Sequence, residues 1–359
     1  MGSVILRILR LLAISAVAVA AWAQPAAEVE AVVTTSLGTF RFEFFPDKAP
    51  KHVEQFVRLA RQGYYEGSAF HRAVANGVIQ GGDPLLKDAK TPRNLWGTGG
   101  LNMLAGETSD LKHERGMVST IRLPDKPNSD GAQFFVCVVR QPSLDGQYSA
   151  FGRVNEGIEV VEKISQQALD ADGMLHEPVR ILKVSIEPKK LEPFLSATPE
   201  EMRRTVTLKT TLGSLKLKME PDWAPNNVRN FLKLVATGWL NGTEFHRIVK
   251  GFVAQGGTGY TRSAGPTHPA DRWVRPVKAE LRADVKHVRG VISMAHGDDP
   301  DSATTSFFIM LGPAASLDNK FSAFARVVEG IEVLDALEKE ELEGEKPKRR
   351  LEIVEASID

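Results

Sequence analysis

Two stretches of alternating apolar and polar residues stand 175 positions apart. In one, Phe40, Phe42 and Phe44 alternate with Thr39, Arg41 and Glu43; in the other, Leu215, Leu217 and Met219 alternate with Ser214, Lys216 and Lys218. Period two predicts strands with one buried face, and Leu37-Gly38 and Leu212-Gly213 read as the hairpin turns before them. The spacing then lengthens to that of a helix. Val53, Phe56, Val57 and Ala60 form an apolar stripe, and Val228, Phe231, Leu232 and Val235 form its counterpart. Pro50 and Pro225 suit a first helical turn, where no amide donor is needed, and Gly63 and Gly238 stand where a left-handed cap belongs. A second, shorter helix is expected after Gly157 and after Gly330. The remaining apolar runs are short, β-rich and bounded by Gly, Pro, Asn and Asp. Each half therefore reads as mainly β, a closed barrel with two helices over its ends.

The halves also share words. Phe70-His71-Arg72 returns as Phe245-His246-Arg247, and Gln80-Gly81-Gly82 as Gln255-Gly256-Gly257. Lys112-His113 returns as Lys286-His287, Phe134-Phe135 as Phe307-Phe308, Ser143-Leu144-Asp145 as Ser316-Leu317-Asp318, and Gly157-Ile158-Glu159-Val160 as Gly330-Ile331-Glu332-Val333. A period near 174 is too long for a solenoid repeat. It marks a duplicated domain, 31–187 and 205–359, with a linker at 188–204. Thr198-Pro199-Glu200-Glu201 carries a capping-box pattern inside that linker.

Charge excludes some partners. Forty-five basic and forty-five acidic residues cancel, so no strong field draws the chain to nucleic acid or an anionic membrane. Residues 1–23 read as a signal peptide: Arg7 and Arg10, an apolar run from Leu11 to Ala21, then Ala21-Trp22-Ala23 as a cleavage site. The mature chain would start at Gln24 and work in the periplasm or outside the cell, with an uncleaved anchor as the alternative. The single cysteine, Cys137, can form no internal disulfide and sits in an apolar strand-like run, which suits a packed thiol rather than a nucleophile.

Familiar catalytic constellations are missing. The eight histidines show no metal-ligand spacing, so neither metal nor cofactor is expected. Gly97-Thr98-Gly99-Gly100 is not followed by the Gly-Lys-Ser/Thr of a phosphate loop. What remains is an Arg, a Gln and several apolar residues at matching places in both copies.

Those blocks resemble the cyclophilins: FHRAVANGVIQGGD (70–83) and FHRIVKGFVAQGG (245–257), then GMVST, AQFFV and SLDGQYSAFGRV, matched by GVISMA, TSFFIM and SLDNKFSAFARV. The resemblance implies two barrels that isomerise X-Pro bonds in proline-containing polypeptides, with Arg72 and Arg247 as the catalytic donors. It also implies substrate contacts from Val78, Gln80, Gln133, Phe135, Leu144 and Tyr148 in the first copy. In the second they are Phe252, Val253, Gln255, Ala295, Phe308 and Leu317. His71 and His246 are expected to pack inside the barrels. The same aromatic residues also suit a packed core, and the arginines a surface ion pair. Both copies depart from the family pattern: Gly77 replaces a pocket phenylalanine and Ile121-Arg122 replaces Ala-Asn. Ser306 replaces a second glutamine, His296 an asparagine, and Phe321 a rim His or Tyr. A non-catalytic proline-peptide binder or holdase with two weak sites is therefore the rival reading.

Overall fold

The computed structural model describes residues 26–123, 126 and 128–359. The signal-peptide reading falls on residues outside that set. The chain divides into two compact units, one ending at Lys190 and one beginning at Leu191.

In the first unit the alternating stretch pairs with its predecessor as β1 (Val29–Thr35) and β2 (Gly38–Phe44). Phe40, Phe42 and Phe44 all point into the core, and each such ring contributes about 1.5–3 kcal/mol by leaving water. Helix α1 (Pro50–Arg61) follows, with Pro50 in its first turn. Its Phe56 packs edge-on against Phe42, ring centroids 5.2 Å apart. Gly63, at φ +68°, ends the helix in the left-handed region that its sequence position predicts. The chain continues through β3 (Ala69–Ala73), β4 (Val78–Gly81), β5 (Met117–Thr120), β6 (Phe134–Cys137), β7 (Ala150–Glu156), α2 (Ile158–Ser165) and β8 (Met174–Pro188). The eight strands close in the order β1-β2-β7-β5-β6-β4-β3-β8. Strand β8 makes the closure: its 15 residues are long enough to pair with β1 at one end and β3 at the other.

The second unit repeats the plan with β9 (Thr205–Thr210), β10 (Gly213–Met219), α3 (Pro225–Ala236), β11 (Arg247–Val249) and β12 (Val253–Gly256). Then come β13 (Val291–Met294), β14 (Phe307–Met310), β15 (Ala323–Glu329), α4 (Ile331–Lys339), β16 (Leu342–Glu343), β17 (Lys346–Pro347) and β18 (Ile353–Ile358). Its strand order matches, but no ladder joins the end strands β11 and β18. Two closed barrels were expected, and here the second differs. The stretch corresponding to β8 is broken into β17 and β18, with the charged residues 348–350 between them. The gap is bridged at Glu244 and Glu352, with Phe245 N–H donating to the Leu351 carbonyl at 2.9 Å.

Residues 191–204, most of the stretch read as a linker, pack onto the second unit. Met202 is fully buried in its core, with Phe194 and Ala197 against it. The Glu192 carboxylate meets buried Lys233 at 3.2 Å and Arg275 at 2.8 Å. The capping box forms as well: Thr198 N–H donates to Glu201 at 2.8 Å, and Glu201 N–H returns to the Thr198 hydroxyl at 3.4 Å.

Candidate active site

Strand register builds the site. Residues directly opposite in an antiparallel pair share a face. Arg72 stands opposite Gln80, Gln80 opposite Phe135, and Phe135 opposite Ser119. Because Phe134 fills the barrel interior, its neighbour Phe135 faces outward, and the whole row Arg72–Gln80–Phe135–Ser119 lies on the outer surface. The second unit makes the same row: Arg247, Gln255, Phe308, Ser293.

Around each row lies an apolar cluster separate from the barrel core. In the first unit Phe135, Cys137, Met117 and Ala150 form its floor, with Val78, Ile121, Leu144 and Tyr148 half-buried at the edges. Tyr148 meets Phe135 edge-on at 5.3 Å, and Arg122 sits 5.4 Å over the Tyr148 ring. Cys137 packs here as expected, and burial pushes its thiol up to about 12. In the second unit Val253 and Phe308 are buried, with Phe252, Ala295, Leu317 and Phe321 around them. Phe321 lies between two rings, edge-on to Phe308 at 5.4 Å and stacked on His296 at 4.3 Å. Gly77, in place of the pocket phenylalanine, leaves no such wall in the first unit; a Cβ there would meet Val74 at 2.9 Å.

The glutamines take different parts. Gln80 Nε2 donates to Gln133 Oε1 at 3.0 Å, and Gln133 Nε2 donates to the carbonyls of Gly97 and Gly99 at 2.9 and 2.6 Å. Gln133, for which the resemblance implies a substrate contact, is fully buried and stands behind Gln80. The glycine-rich segment also wraps a carboxylate: Gly97 N–H and Leu85 N–H donate to Asp83 at 2.7 and 2.9 Å. In the second unit Gln255 Nε2 donates to Ser306 Oγ at 3.2 Å, and that hydroxyl donates to the Gly256 carbonyl at 3.1 Å. The serine is a shorter relay in the place of Gln133.

The arginines differ most. Arg72 is exposed and, among the described residues, its guanidinium makes no ion pair or hydrogen bond. Arg247 is held by Glu345, with Nε donating to Oε2 at 2.6 Å and Nη2 to Oε1 at 3.3 Å. The ion pair left open by the sequence thus forms in one copy.

Two features escaped the sequence reading. Beneath Phe135 lies His113, stacked at 5.8 Å, with Nε2 at 3.0 Å from Ser119 Oγ and its backbone N–H on Asp145 at 2.8 Å. His287 repeats this under Phe308 with Ser293 and Asp318. Burial, outweighing the aspartate contact, lowers the pKa of both rings. Their recurrence as Lys-His in both copies was the signal available. The other feature belongs to the first unit alone. Buried His52 links Glu107 (Nδ1 to Oε2, 2.7 Å) and Asp130 (Nε2 to Oδ2, 2.9 Å), and Asp130 also accepts from Thr120 and Ser149. Burial opposes charging of His52, but the hydrogen bonds to Asp130 and Glu107 outweigh it and raise the pKa. In the second unit Asn227 takes the place of His52 and donates to Glu280 at 2.7 Å. His71 is fully buried under residue 97 of the glycine-rich segment, and burial lowers its pKa. His246 is half-buried, 6.0 Å from the Tyr260 ring.

Comparison with known proteins agrees with this arrangement. The model of the cyclophilin type peptidyl-prolyl cis-trans isomerase family matches twice, over residues 31–186 and 205–358. Peptidyl-prolyl cis-trans isomerase 9 of Schizosaccharomyces pombe is 35% identical over 162 residues, 44% of this chain and 25% of that protein. An Arabidopsis thaliana relative, peptidyl-prolyl cis-trans isomerase CYP18-1, is 38% identical over 160 residues, 44% of this chain and 95% of its own length. The chain thus spans a quarter of the first relative and nearly all of the second. A crystal structure of a Cryptosporidium parvum cyclophilin type peptidyl-prolyl cis-trans isomerase aligns with 28% identity over 44% of this chain and 97% of its own, at a TM-score of 0.39. With both matched segments together covering well over half of its length, the chain belongs to the cyclophilin-type peptidyl-prolyl cis-trans isomerase family.

Proposed function

We propose that this protein accelerates cis/trans rotation of X-Pro bonds in exported or unfolded polypeptides, chiefly at the Arg72 site. The barrier to that rotation, about 18–20 kcal/mol, is the loss of amide resonance. Twisting the bond localises a lone pair on the prolyl nitrogen. A fixed cationic donor at that nitrogen stabilises the twisted state more than either planar state, and the barrier falls. The observation that carries this reading is the outward row in which Arg72 stands next to Gln80 and Phe135 with, among the described residues, no carboxylate on it. Phe135, Val78 and Leu144 would receive the proline ring, Tyr148 would flank it, and Gln80, braced by Gln133, would hold the peptide backbone. In the second domain Phe252, Val253, Phe308, Leu317 and Ala295 would form the equivalent groove, with Gln255 on the backbone and Arg247 as donor.

The test is isomerisation of an X-Pro tetrapeptide by the full-length chain, wild type against Arg72→Ala/Arg247→Ala. The double variant should lose activity with its fold intact. A wild-type chain that binds proline peptides but never speeds their isomerisation would establish the holdase reading instead. Export rests on residues 1–23 and is tested by mass: the secreted product should begin at Gln24.

A further inference from the structure

The same hairpin carbonyl supports both arginine strands. In the first domain Ala73 N–H donates to the Gly173 carbonyl at 2.9 Å; in the second, Ile248 N–H donates to the Glu345 carbonyl at 2.7 Å. Gly173 and Glu345 are therefore equivalent positions, each beside the residue that follows the arginine. Gly173, at φ +76°, has no side chain, and a Cβ built there would meet the Ala73 carbonyl at 2.9 Å and Arg72 Nε at 3.9 Å. A side chain at this place is aimed at the arginine. Glu345 supplies one, and its carboxylate takes two guanidinium donors.

We propose that Glu345 is a positioning residue that lowers turnover in the second domain by neutralising Arg247, leaving peptide binding untouched. This inference rests on the isomerase reading above. The arginine's charge matters only while the prolyl nitrogen carries a localised lone pair. A carboxylate in contact with the guanidinium offsets that charge, and the loss falls on kcat. The proline groove, built from Phe252, Val253, Phe308 and Leu317, lies outside the pair and keeps its affinity. Both partners are partly solvent-exposed, 38% for Arg247 and 54% for Glu345, so the effect is modest and salt-sensitive. Glu345 lies in the turn of the hairpin β16–β17, just before the stretch that matches the start of β8. The turn is common to both units, closed by a Leu169–Leu175 bridge in the first, so the carboxylate reaches its arginine because Glu345 stands where the first unit has Gly173.

The experiment uses the full-length chain with Arg72→Ala, so that only the second site turns over. Glu345→Gln in that background should raise kcat about two- to fivefold with KM unchanged, in line with the weak coupling of exposed pairs. Glu345→Asp, which keeps the charge, should stay near the parent. Added salt should raise kcat of the parent and leave the Gln variant where it is. An unchanged or lower kcat in Glu345→Gln, or a change confined to KM, overturns the role of Glu345. Wild-type protein with both arginines intact serves as the reference. If it has no isomerase activity, the isomerase reading has failed and this inference goes with it; if it is active and Glu345→Gln is silent, only the inference fails.

Discussion

Arg72 and Arg247 occupy the same register position on sheets of the same strand order, yet their surroundings have diverged in opposite directions. The first has a bare arginine, a two-glutamine relay and a thinner apolar groove, with Gly77 where a phenyl wall would stand. The second has the fuller groove, with Phe252, but a serine relay and an arginine paired with Glu345. Turnover depends on a charge that is needed only in the twisted state, whereas binding depends on apolar burial present throughout. On the reading proposed above, each domain would favour one of these. Duplication would then let catalysis and capture drift apart on one chain, and two tethered sites would add avidity.

The sharpest way to break this comparison is to remove each arginine in turn from the full-length protein. Arg72→Ala should lower kcat of the chain about 100-fold, the size expected when one transition-state donor is lost. Arg247→Ala should change it little. Arg72→Lys should recover little, because a flexible point charge does not reproduce a positioned planar donor. If Arg247→Ala proves the more damaging, the assignment of catalysis to the first domain is reversed.

A second comparison lies under helices α1 and α3. His52 links two carboxylates in the first unit, while Asn227 pairs with Glu280 in the second. Replacing His52 by Asn leaves Asp130 without its charged partner and should destabilise the first domain by about 1.5–3 kcal/mol. The pH dependence has a definite sign. His52 titrates above its unfolded value of 6.5 in the folded protein, so its contribution is complete below pH 6.5 and lost as pH rises through the folded pKa. For Asp130, burial works against ionisation, but hydrogen bonds from His52, Ser149 and Thr120 hold its pKa below 3.8. That contribution is present above pH 3.8 and lost as pH falls through the folded value. The lowered histidine values occur in both domains and largely cancel between them. Amide exchange in the full-length chain should show the first domain, and not the second, losing protection as pH is raised from 6 to 9. In His52→Asn that difference should vanish, and its persistence would disprove the role given to His52.

Much of this was legible in the sequence because it rests on local periodicity. The strands around Phe42 and Leu217, the helix stripes and the glycine caps lie where apolar spacing and backbone chemistry put them. The arginine rows were legible only through the repeated blocks, since register depends on pairings some 50 residues apart in the chain. The Arg247–Glu345 pair spans 98 residues and carries no local signature. Adjacent acidic and basic blocks such as those near residue 345 more often mark a solvated surface than a site. The place of Gln133 in the family pattern does not reveal what covers it. Here the glycine-rich segment covers it. The open second barrel carries no local signal either: residues 348–350 fall between β17 and β18, yet charged residues also stand in the unbroken β8.

The smallest effect probes the groove itself. Phe252 is half-buried against Val253 and Phe308 in the second domain, and Gly77 holds the equivalent place in the first. Truncating the ring removes part of the apolar surface against which a proline would pack, about 1–1.5 kcal/mol for a half-buried phenylalanine. Phe252→Ala should therefore weaken peptide binding by the second domain about tenfold. In the Arg72→Ala background, where the second site alone turns over, the change should appear in KM with kcat nearly constant. The first domain provides the control, because it already lacks this wall and its KM should not respond to the substitution. Peptide titration followed through the outward rows around Phe135 and Phe308 reads each site separately in one sample. Equal affinity at the two sites before mutation, or a Phe252→Ala effect carried by kcat, would mean that the fuller groove does not bind proline more tightly, and the division between capture and catalysis would lose its physical basis.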